Sequence, residues 1–390
     1  MFNTSEPSSE QQQQPQPQSP RASPRARDLG VPLDGEPGPL NAITDVPGLE
    51  VGFVTIAEDA PVVSRTGVTA ILPRGRKRAG LPCAAGVAVL NGNGELTGRS
   101  WIEESGQLQA PIAITNSHAV GAVHRGIDRW MAAHHPESAA AWMLPVVGET
   151  WDGYLNSINA DTVHPEHAEQ ALDSACGGPL AEGSVGGGTG MNCYGFKGGT
   201  GTASRTVRIG DESYTVGVLL QANFGSREEL KVVGRPLGRA SQAPNPMETS
   251  DWFDRELAGA RAVPGAGSVI VVVATDAPLL PDQCEALARR VPLGLARTGT
   301  TGSHFSGDIF LAFSTANEGS FGSRMAAGPV VEQIAHLAWG RIDPLFTGVV
   351  EATEEAVLNA LVAARDTVGR NGHESFALPH DEVRAAFTAA

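Results

Sequence analysis

Short apolar runs rich in β-branched residues recur along the chain, separated by stretches of polar residues, glycine and proline. They predict strands at residues 68–72, 86–90, 112–115, 214–220, 269–274 and 309–313. Longer amphipathic segments predict helices at residues 120–133, 281–290, 330–339 and 354–364. Strands and helices mixed at these spacings predict an α/β protein built from layers of helix on sheet.

The first 27 residues do not follow this pattern. They are rich in Gln, Pro and Ser and contain almost nothing apolar after Phe2, so burial cannot offset the entropy lost on ordering. We expect residues 1–27 to form a disordered tail. No other low-complexity linker and no fixed-period repeat follows, so we expect residues 28–390 to form a single domain.

Composition and charge narrow the class of protein. The 41% hydrophobic and 18% charged residues are typical of a soluble protein with a full core. The formal charge of -15 argues against nucleic-acid and anionic-membrane partners, which require clustered Lys and Arg. No run approaches the ~20 apolar residues that span a bilayer, and the first residues lack the apolar core of a signal peptide. We therefore expect a cytoplasmic protein.

Glycine-rich segments suggest phosphate binding, but none has the required spacing. In GSVGGGTGMNCYGFKGGTGTASR (residues 183–205), Gly195 is followed by Phe196 before Lys197, whereas a P-loop has lysine directly after the glycine. The dinucleotide fingerprint also lacks its third glycine. These glycines either form turns or let the backbone approach a ligand closely. The histidines lack an H-E-x-x-H arrangement, so we predict no metal and no cofactor.

One serine stands out. The segment PGAGSVIVVVATDAPLLP (residues 264–281) places Ser268 at the start of a very apolar run. Ser268 is either the polar first residue of a buried strand, or a hydroxyl that a rigid strand directs at the preceding backbone or a substrate. A Ser-His-Asp triad would need His118, His124 or His304, and the sequence places none of them beside a serine.

Several blocks together resemble the self-processing aminopeptidases, a family that includes β-peptidyl aminopeptidases and L-aminopeptidase/D-amino-acid esterase-amidases. The blocks lie in order at residues 26–52, 91–98, 183–205, 216–225, 267–281 and 306–315. The resemblance implies a four-layer α/β/β/α sandwich, similar in layering to N-terminal-nucleophile hydrolases. It also implies that the chain cuts itself before a serine, which becomes an N-terminal nucleophile.

The implied cleavage site is the Gly267–Ser268 bond, which would give residues 1–267 and 268–390, roughly 28 and 13 kDa. Glycine at position 267 permits the crowded or positive-φ backbone that would direct its carbonyl. The freed α-amine of Ser268 has a reference pKa of about 7.7–8.0, so it can accept the hydroxyl proton itself. No histidine is then required.

The resemblance implies further site residues. In SGDIF, Ser306 and Asp308 match positions that assist the nucleophile and bind the substrate amine, and residues two apart on a strand share a face. Asn223 in LLQANFG matches the oxyanion-hole donor. In ETWDGYLN (residues 149–156), Trp151 occupies the place expected for a family tyrosine, and Tyr154 follows three residues later. Indole donates but cannot accept or ionise, so with Trp151 in that place either the oxyanion assistance or the pocket shape is expected to differ.

The expected activity is aminopeptidase or amidase action on small peptides, amides or esters through an acyl-enzyme on Ser268. The expected assembly is a homo-oligomer of processed α/β heterodimers. One alternative is an acyl transferase like the self-cleaving ornithine acetyltransferases, which use an N-terminal threonine. Another is an unprocessed, non-enzymatic binding protein in which Ser268 only caps a strand.

Overall fold

The computed structural model describes residues 23–256, 258–259, 265–322 and 330–388. The strands are β1 Glu50–Glu58, β2 Ser64–Leu72, β3 Cys83–Gly92, β4 Gln107–Leu108, β5 Ile112–Asn116, β6 Val146–Thr150, β7 Asn192–Cys193, β8 Phe196–Lys197, β9 Gly199–Ile209, β10 Glu212–Gly225, β11 Gly265–Thr275, β12 Gly307–Ser314, β13 Thr367–Val368 and β14 Glu374–Ser375. The α-helices are α1 Arg99–Ser105, α2 Val120–His134, α3 Pro136–Ala140, α4 Pro165–Asp173, α5 Leu237–Ala240, α6 Pro246–Thr249, α7 Trp252–Glu256, α8 Pro281–Ala288, α9 Val291–Arg297, α10 Asp343–Ala363 and α11 His380–Thr388. Short 3₁₀ helices are Ala26–Leu29, Ile43–Asp45, Arg76–Arg78, Gly186–Gly190, Arg227–Glu229, Trp339–Arg341 and Arg370–Gly372.

Two sheets form the centre of the molecule. One has six strands in the order β4-β3-β12-β11-β10-β9, and the other has four in the order β1-β2-β5-β6. The apolar run after Ser268 forms β11, which pairs in parallel with β12 and antiparallel with β10. Its side chains alternate between faces: Val271 packs toward the helices and Val272 toward the other sheet. A strand buried on both faces requires a continuous apolar sequence, which β11 has.

Helices cover the outer face of each sheet. The helices α8 and α10 pack on the six-stranded sheet, and α2 and α4 pack on the four-stranded sheet. Separate apolar cores fill the helix–sheet, sheet–sheet and sheet–helix spaces. The predicted α/β/β/α sandwich is confirmed. No helix in the described part of the chain is long and apolar enough to cross a membrane.

The predicted strands all correspond to observed ones, and three of the four predicted helices correspond to α2, α8 and α10. The helix predicted at residues 330–339 is wrong. Val330, Val331 and Trp339 are exposed there and Leu337 is only partly buried, so the segment has no continuous buried apolar face to stabilise a helix. Its backbone bonds to the rest of the fold instead: Leu337 donates its N–H to Pro278 O and accepts from the Gln283 side chain.

The predicted end of the tail is also wrong. Arg25 and Ala26 are buried, and the Arg25 guanidinium lies 2.7 Å from a Glu182 carboxylate oxygen and donates to Asn41 O at 2.7 Å. A charge with these partners is held in the fold, which composition alone does not reveal. The remainder of the predicted tail, residues 1–22, lies outside the described residues.

Candidate active site

Ser268 lies where the pairing of β11 with β10 becomes irregular. Ser268 is opposite Asn223, but the next pair joins Gly265 to Gly225, so β11 advances three residues while β10 advances two. The extra residue is a β-bulge, which bends a strand and redirects its side chains. The Gly267–Ser268 bond is therefore part of the bulge.

The Ser268 side chain is 4% exposed and points back at its own chain. Its Oγ donates to Gly267 O at 2.7 Å and accepts the Gly307 N–H at 3.1 Å. Among the described residues, no histidine hydrogen-bonds to Ser268. Of the two interpretations of this serine, the geometry favours a hydroxyl directed at the preceding peptide group.

The structure also decides why residue 267 is glycine. A Cβ there would lie 1.9 Å from Asn223 O and 2.9 Å from Asn223 C, which is well inside contact distance. Gly267 does not have a positive φ, whereas Gly265 has φ +80°. Close approach of the β10 backbone is therefore the reason for Gly267, and the positive-φ alternative is wrong.

Asn223 is buried, and two backbone groups fix its amide. Its Oδ1 accepts the Asn192 N–H at 2.9 Å, and its Nδ2 donates to Trp151 O at 2.9 Å. Exchanging the oxygen and nitrogen would set donor against donor and acceptor against acceptor, so the amide has one orientation. Its Nδ2 carries a second hydrogen that these contacts do not use.

Ser306 and Asp308 are brought together as predicted. The Ser306 hydroxyl donates to Asp308 Oδ1, while Asn91 Nδ2 donates to Asp308 Oδ2 at 3.0 Å and to Ser303 O at 3.1 Å. Burial raises the pKa of Asp308, and the hydrogen bonds from Ser306 and Asn91 oppose this rise. Asp308 lies beside Val269 in the sheet register, one residue beyond Ser268. Asn91 was not predicted, because an asparagine in a glycine-rich segment also fits a turn.

A cavity of about 670 Å³ opens beside Ser268. Its apolar lining comes from Trp151, Met247, Trp252, Phe253 and Phe305. Its remaining lining residues are Asn93, Gly94, Glu95, Ser117, Glu149, Ala266, Gly267 and Ser268.

Trp151 and Tyr154 occupy different positions relative to this cavity. Trp151 lines it, and its ring stacks on Trp252 at 6.3 Å between centroids. Tyr154 is buried behind this wall, edge-on to Trp252, with its hydroxyl donating to Glu374 O at 3.1 Å. Trp151 can therefore contact a ligand beside Ser268 directly, whereas Tyr154 supports the wall.

Glu149, like Asn91, is a residue of the candidate site that was not predicted from the sequence. It lies on β6, lines the cavity with Ser268, and accepts the Glu95 N–H at 3.0 Å and the Ser117 hydroxyl. Burial raises the pKa of Glu149, while the hydrogen bonds from Ser117 and Glu95 lower it. Glu149 begins the ETWDGYLN segment, but a lone glutamate at the end of a strand carries no chemical signal in the sequence.

Known proteins match this chain over nearly its whole length. The β-peptidyl aminopeptidase BapA of Sphingosinicella microcystinivorans is 48% identical over 368 residues, covering 93% of this chain and 91% of that protein. The L-aminopeptidase D-Ala-esterase/amidase of Ochrobactrum anthropi, described as a variant of the Ntn hydrolase fold, superposes with a TM-score of 0.84 at 43% identity. This match covers 93% of this chain and 97% of that one.

A β-aminopeptidase of Burkholderia sp. superposes with a TM-score of 0.83 at 45% identity, over 93% of this chain and 98% of that one. Residues 41–375 match Peptidase family S58. The resemblance drawn from the sequence blocks is confirmed, and with it a serine-type aminopeptidase on an Ntn-hydrolase-like fold. The chain belongs to Peptidase family S58.

Proposed function

We propose that this protein cuts its own chain at Gly267–Ser268 and then removes N-terminal residues from short peptides, amides or esters through an acyl-enzyme on Ser268. The observation that carries the proposal is the 2.7 Å contact between Ser268 Oγ and Gly267 O. This contact holds the hydroxyl beside the bond to be cut, at the start of a rigid buried strand.

In self-cleavage, Ser268 Oγ attacks the carbonyl carbon of Gly267 and forms an ester. The bond from that carbon to the Ser268 nitrogen breaks, and the hydroxyl proton passes to the nitrogen. Water then hydrolyses the ester, which leaves a carboxylate on Gly267 and a free α-amine and hydroxyl on Ser268. The bulge favours this step because the strand is already displaced from regular pairing there.

In substrate hydrolysis, the α-amine of Ser268 accepts the proton from Oγ as this oxygen attacks the substrate carbonyl. The amine then donates that proton to the leaving group, and water releases the acyl group. Asn223 is the proposed oxyanion donor, because its Nδ2 has a hydrogen to spare on the residue directly opposite Ser268. Asp308 on the neighbouring strand β12, and Ser306 directly before that strand, assist the nucleophile.

The substrate ammonium group binds Glu149 in this proposal, instead of Asp308 as expected from the sequence. Glu149 lines the cavity with Ser268, whereas Asp308 is not among the lining residues. A desolvated carboxylate facing an apolar cavity favours a cationic partner. Recognition of a free amine is what distinguishes an aminopeptidase from other amidases.

The substrate range follows from the cavity wall and from the relatives. Trp151, Trp252 and Phe253 favour an apolar side chain on the residue removed. Relatives named for β-peptidyl and L-aminopeptidase activity support both β- and L-α-residues as candidates. Ser268 in place of a threonine disfavours the transferase alternative. Assembly as a homo-oligomer of processed heterodimers in the cytoplasm completes the proposal, and light scattering and cell fractionation test it.

The decisive test is intact mass under denaturing conditions, for the wild-type protein beside Ser268→Ala. We expect fragments of roughly 28 and 13 kDa from the wild type and one chain from the variant. The processed protein should then hydrolyse aminoacyl anilides and ignore their N-acetylated forms. A wild-type chain that stays whole on incubation would overturn the mechanism and favour the binding-protein alternative.

A further inference from the structure

Lys197 lies in the glycine-rich segment whose spacing does not fit a P-loop, and it has no part in the proposed reaction. Its side chain is fully buried. Its Nζ donates to Met191 O at 2.8 Å, Gly198 O at 3.0 Å and Gly188 O at 3.3 Å. An ammonium group has three N–H donors and a neutral amine has two, so three carbonyl acceptors select the protonated form.

Two effects of the surroundings on the pKa of Lys197 oppose each other. Burial lowers the pKa of Lys197, and the buried Asp152 carboxylate opposes that effect. Asp152 directly follows Trp151, whose carbonyl accepts the Asn223 amide. Each backbone partner of Asn223 is therefore close in the chain or in space to a buried ionisable group: the Asn192 N–H belongs to the peptide that binds Lys197, and Trp151 directly precedes Asp152.

The link from Lys197 to Asn223 passes through a single peptide group. The Met191 carbonyl accepts from Lys197, and the N–H of the same peptide, on Asn192, donates to Asn223 Oδ1 at 2.9 Å. A cation on the oxygen of a peptide polarises it and strengthens the hydrogen bond that its N–H donates. Lys197 thus fixes and polarises the group that orients the proposed oxyanion donor.

The loop around Lys197 is otherwise poorly suited to hold this peptide in place. It contains the 3₁₀ helix Gly186–Gly190, and four of the residues in that helix are glycine. A Cβ on Gly188 would lie 2.3 Å from Thr200 N, and one on Gly198 would lie 2.4 Å from Ala222 O. The backbone therefore packs closely because it lacks side chains, and the Lys197 ammonium group binds its carbonyls together.

We propose that Lys197 is a positioning residue for the reaction: its ammonium group fixes the Met191–Asn192 peptide, which orients the Asn223 amide opposite Ser268. The inference rests on the proposed function of Asn223. It also gives the glycine-rich segment a role, as a cradle for a buried cation instead of a phosphate.

The test is a double-mutant cycle of Lys197→Met and Asn223→Ala, measured on self-cleavage rate and on kcat and KM of processed protein. Since loss of an oxyanion donor costs ~10²–10³ in rate, we expect Asn223→Ala to lower kcat by about 100-fold. Lys197→Met should lower kcat by roughly 10- to 100-fold with KM within about twofold, since the residue touches no substrate. In the Asn223→Ala background it should change kcat less than about threefold.

Arg74→Met is the matched control. Arg74 is also buried and donates to three backbone carbonyls, those of Pro82, Thr315 and Ala316, but it has no contact with Asn223. We expect it to lower the melting temperature with little change in kcat. Lys197→Gln, which keeps two donors, should recover part of the kcat lost in Lys197→Met. If Lys197→Met fails to fold, the same cycle is run with Lys197→Gln.

The outcomes separate this inference from the proposed function. If Asn223→Ala leaves both rates unchanged, the oxyanion role fails and the inference fails with it. Suppose that Asn223→Ala lowers kcat, but Lys197→Met lowers kcat by the same factor in the wild-type and Asn223→Ala backgrounds. Lys197 then does not act through Asn223. An effect no larger than that of Arg74→Met would leave Lys197 a purely structural residue.

Discussion

Asp308 on β12 and Glu149 on β6 are buried carboxylates near Ser268 with closely matched hydrogen bonds. Each accepts from a serine hydroxyl, Ser306 or Ser117, and from one N–H donor in the glycine-rich segment that follows or ends β3. Burial raises the pKa of both. They differ in what they face, because only Glu149 lines the cavity.

Hydrogen-bond donors and burial alone therefore do not assign a role to a carboxylate. Two carboxylates that each accept from a serine hydroxyl and an N–H group, and whose pKa values shift in the same direction, take different parts in the proposed reaction. Asp308 pairs in register with Val269 and Asn91, so it belongs to the sheet that holds the nucleophile. Glu149 reaches the space that a substrate would enter.

The largest effect is expected from Glu149→Gln. Because an amide cannot offer the charge that pairs with a substrate ammonium group, kcat/KM for free-amine substrates should fall by about 10- to 150-fold, the equivalent of ~1.5–3 kcal/mol. Self-cleavage, which involves no substrate amine, should proceed at the wild-type rate. Steady-state kinetics and intact mass measure the two effects. Equal loss of both rates would contradict the assignment of the amine to Glu149.

Asp308→Asn is expected to have a smaller effect on substrate hydrolysis, but unlike Glu149→Gln it should also slow self-cleavage. The amide oxygen can accept from Ser306, but the amide N–H groups would face the Asn91 N–H donor, so this hydrogen bond is lost. The strand beside β11 is then less rigid, and Ser268 is positioned less accurately. Self-cleavage and kcat should both fall by about tenfold with KM nearly unchanged. A rise in KM with normal self-cleavage would instead place the amine at Asp308, as the sequence suggested.

Ser117→Ala tests the role of Glu149 through the pH dependence of KM. The Ser117 hydrogen bond lowers the pKa of Glu149, so its removal raises that pKa further above the ordinary value. Glu149 must be ionised to bind an ammonium group, and binding is lost as pH falls through its pKa. In the variant, KM should therefore begin to rise at a higher pH than in the wild type. Ser306→Ala is the control and should leave the pH dependence of KM in place.

The smallest effect is expected from Asn91→Ala, which removes one neutral donor from Asp308. A hydrogen bond to a charged group contributes about 1.5–3 kcal/mol, and part of it is recovered if water enters. We expect a melting temperature lower by a few degrees and a kcat lower by about threefold. Thermal unfolding and kinetics of the same preparation measure both. An unchanged kcat with normal stability would show that Asp308 does not depend on Asn91.

The apolar pattern predicted much of the scaffold. The run after Ser268 is apolar at successive positions because β11 is buried on both faces, so it could be recognised without its neighbours. The helix α8 was equally clear because Pro281 and Asp282 mark its first turn. The helix predicted at residues 330–339 is absent because Val330, Val331 and Trp339 are exposed and Leu337 bonds to Pro278 and Gln283, which no local pattern encodes.

The candidate site was only partly predictable. Motifs predicted Ser268, Asn223, Ser306 and Asp308 as site residues, and the sheet register places Asn223 and Gly307 on either side of Ser268. Glu149 carried no signal because its significance depends on a cavity shared with a strand of the other sheet. Lys197 was dismissed for its spacing, and its contacts with Met191 and Gly198 appear only when the loop closes around it.

From the linear pattern alone, six strands, three helices, the layering of helix on sheet and the family could be predicted, because burial periodicity and motif order are properties of the chain itself. Tertiary structure alone decided which carboxylate faces the cavity, why residue 267 must be glycine and what Lys197 binds. Those features are contacts between residues far apart in the chain, such as the 1.9 Å approach that a Cβ at 267 would make to Asn223 O. Such contacts depend on strand register and on the packing of one sheet against the other, which no local sequence pattern specifies.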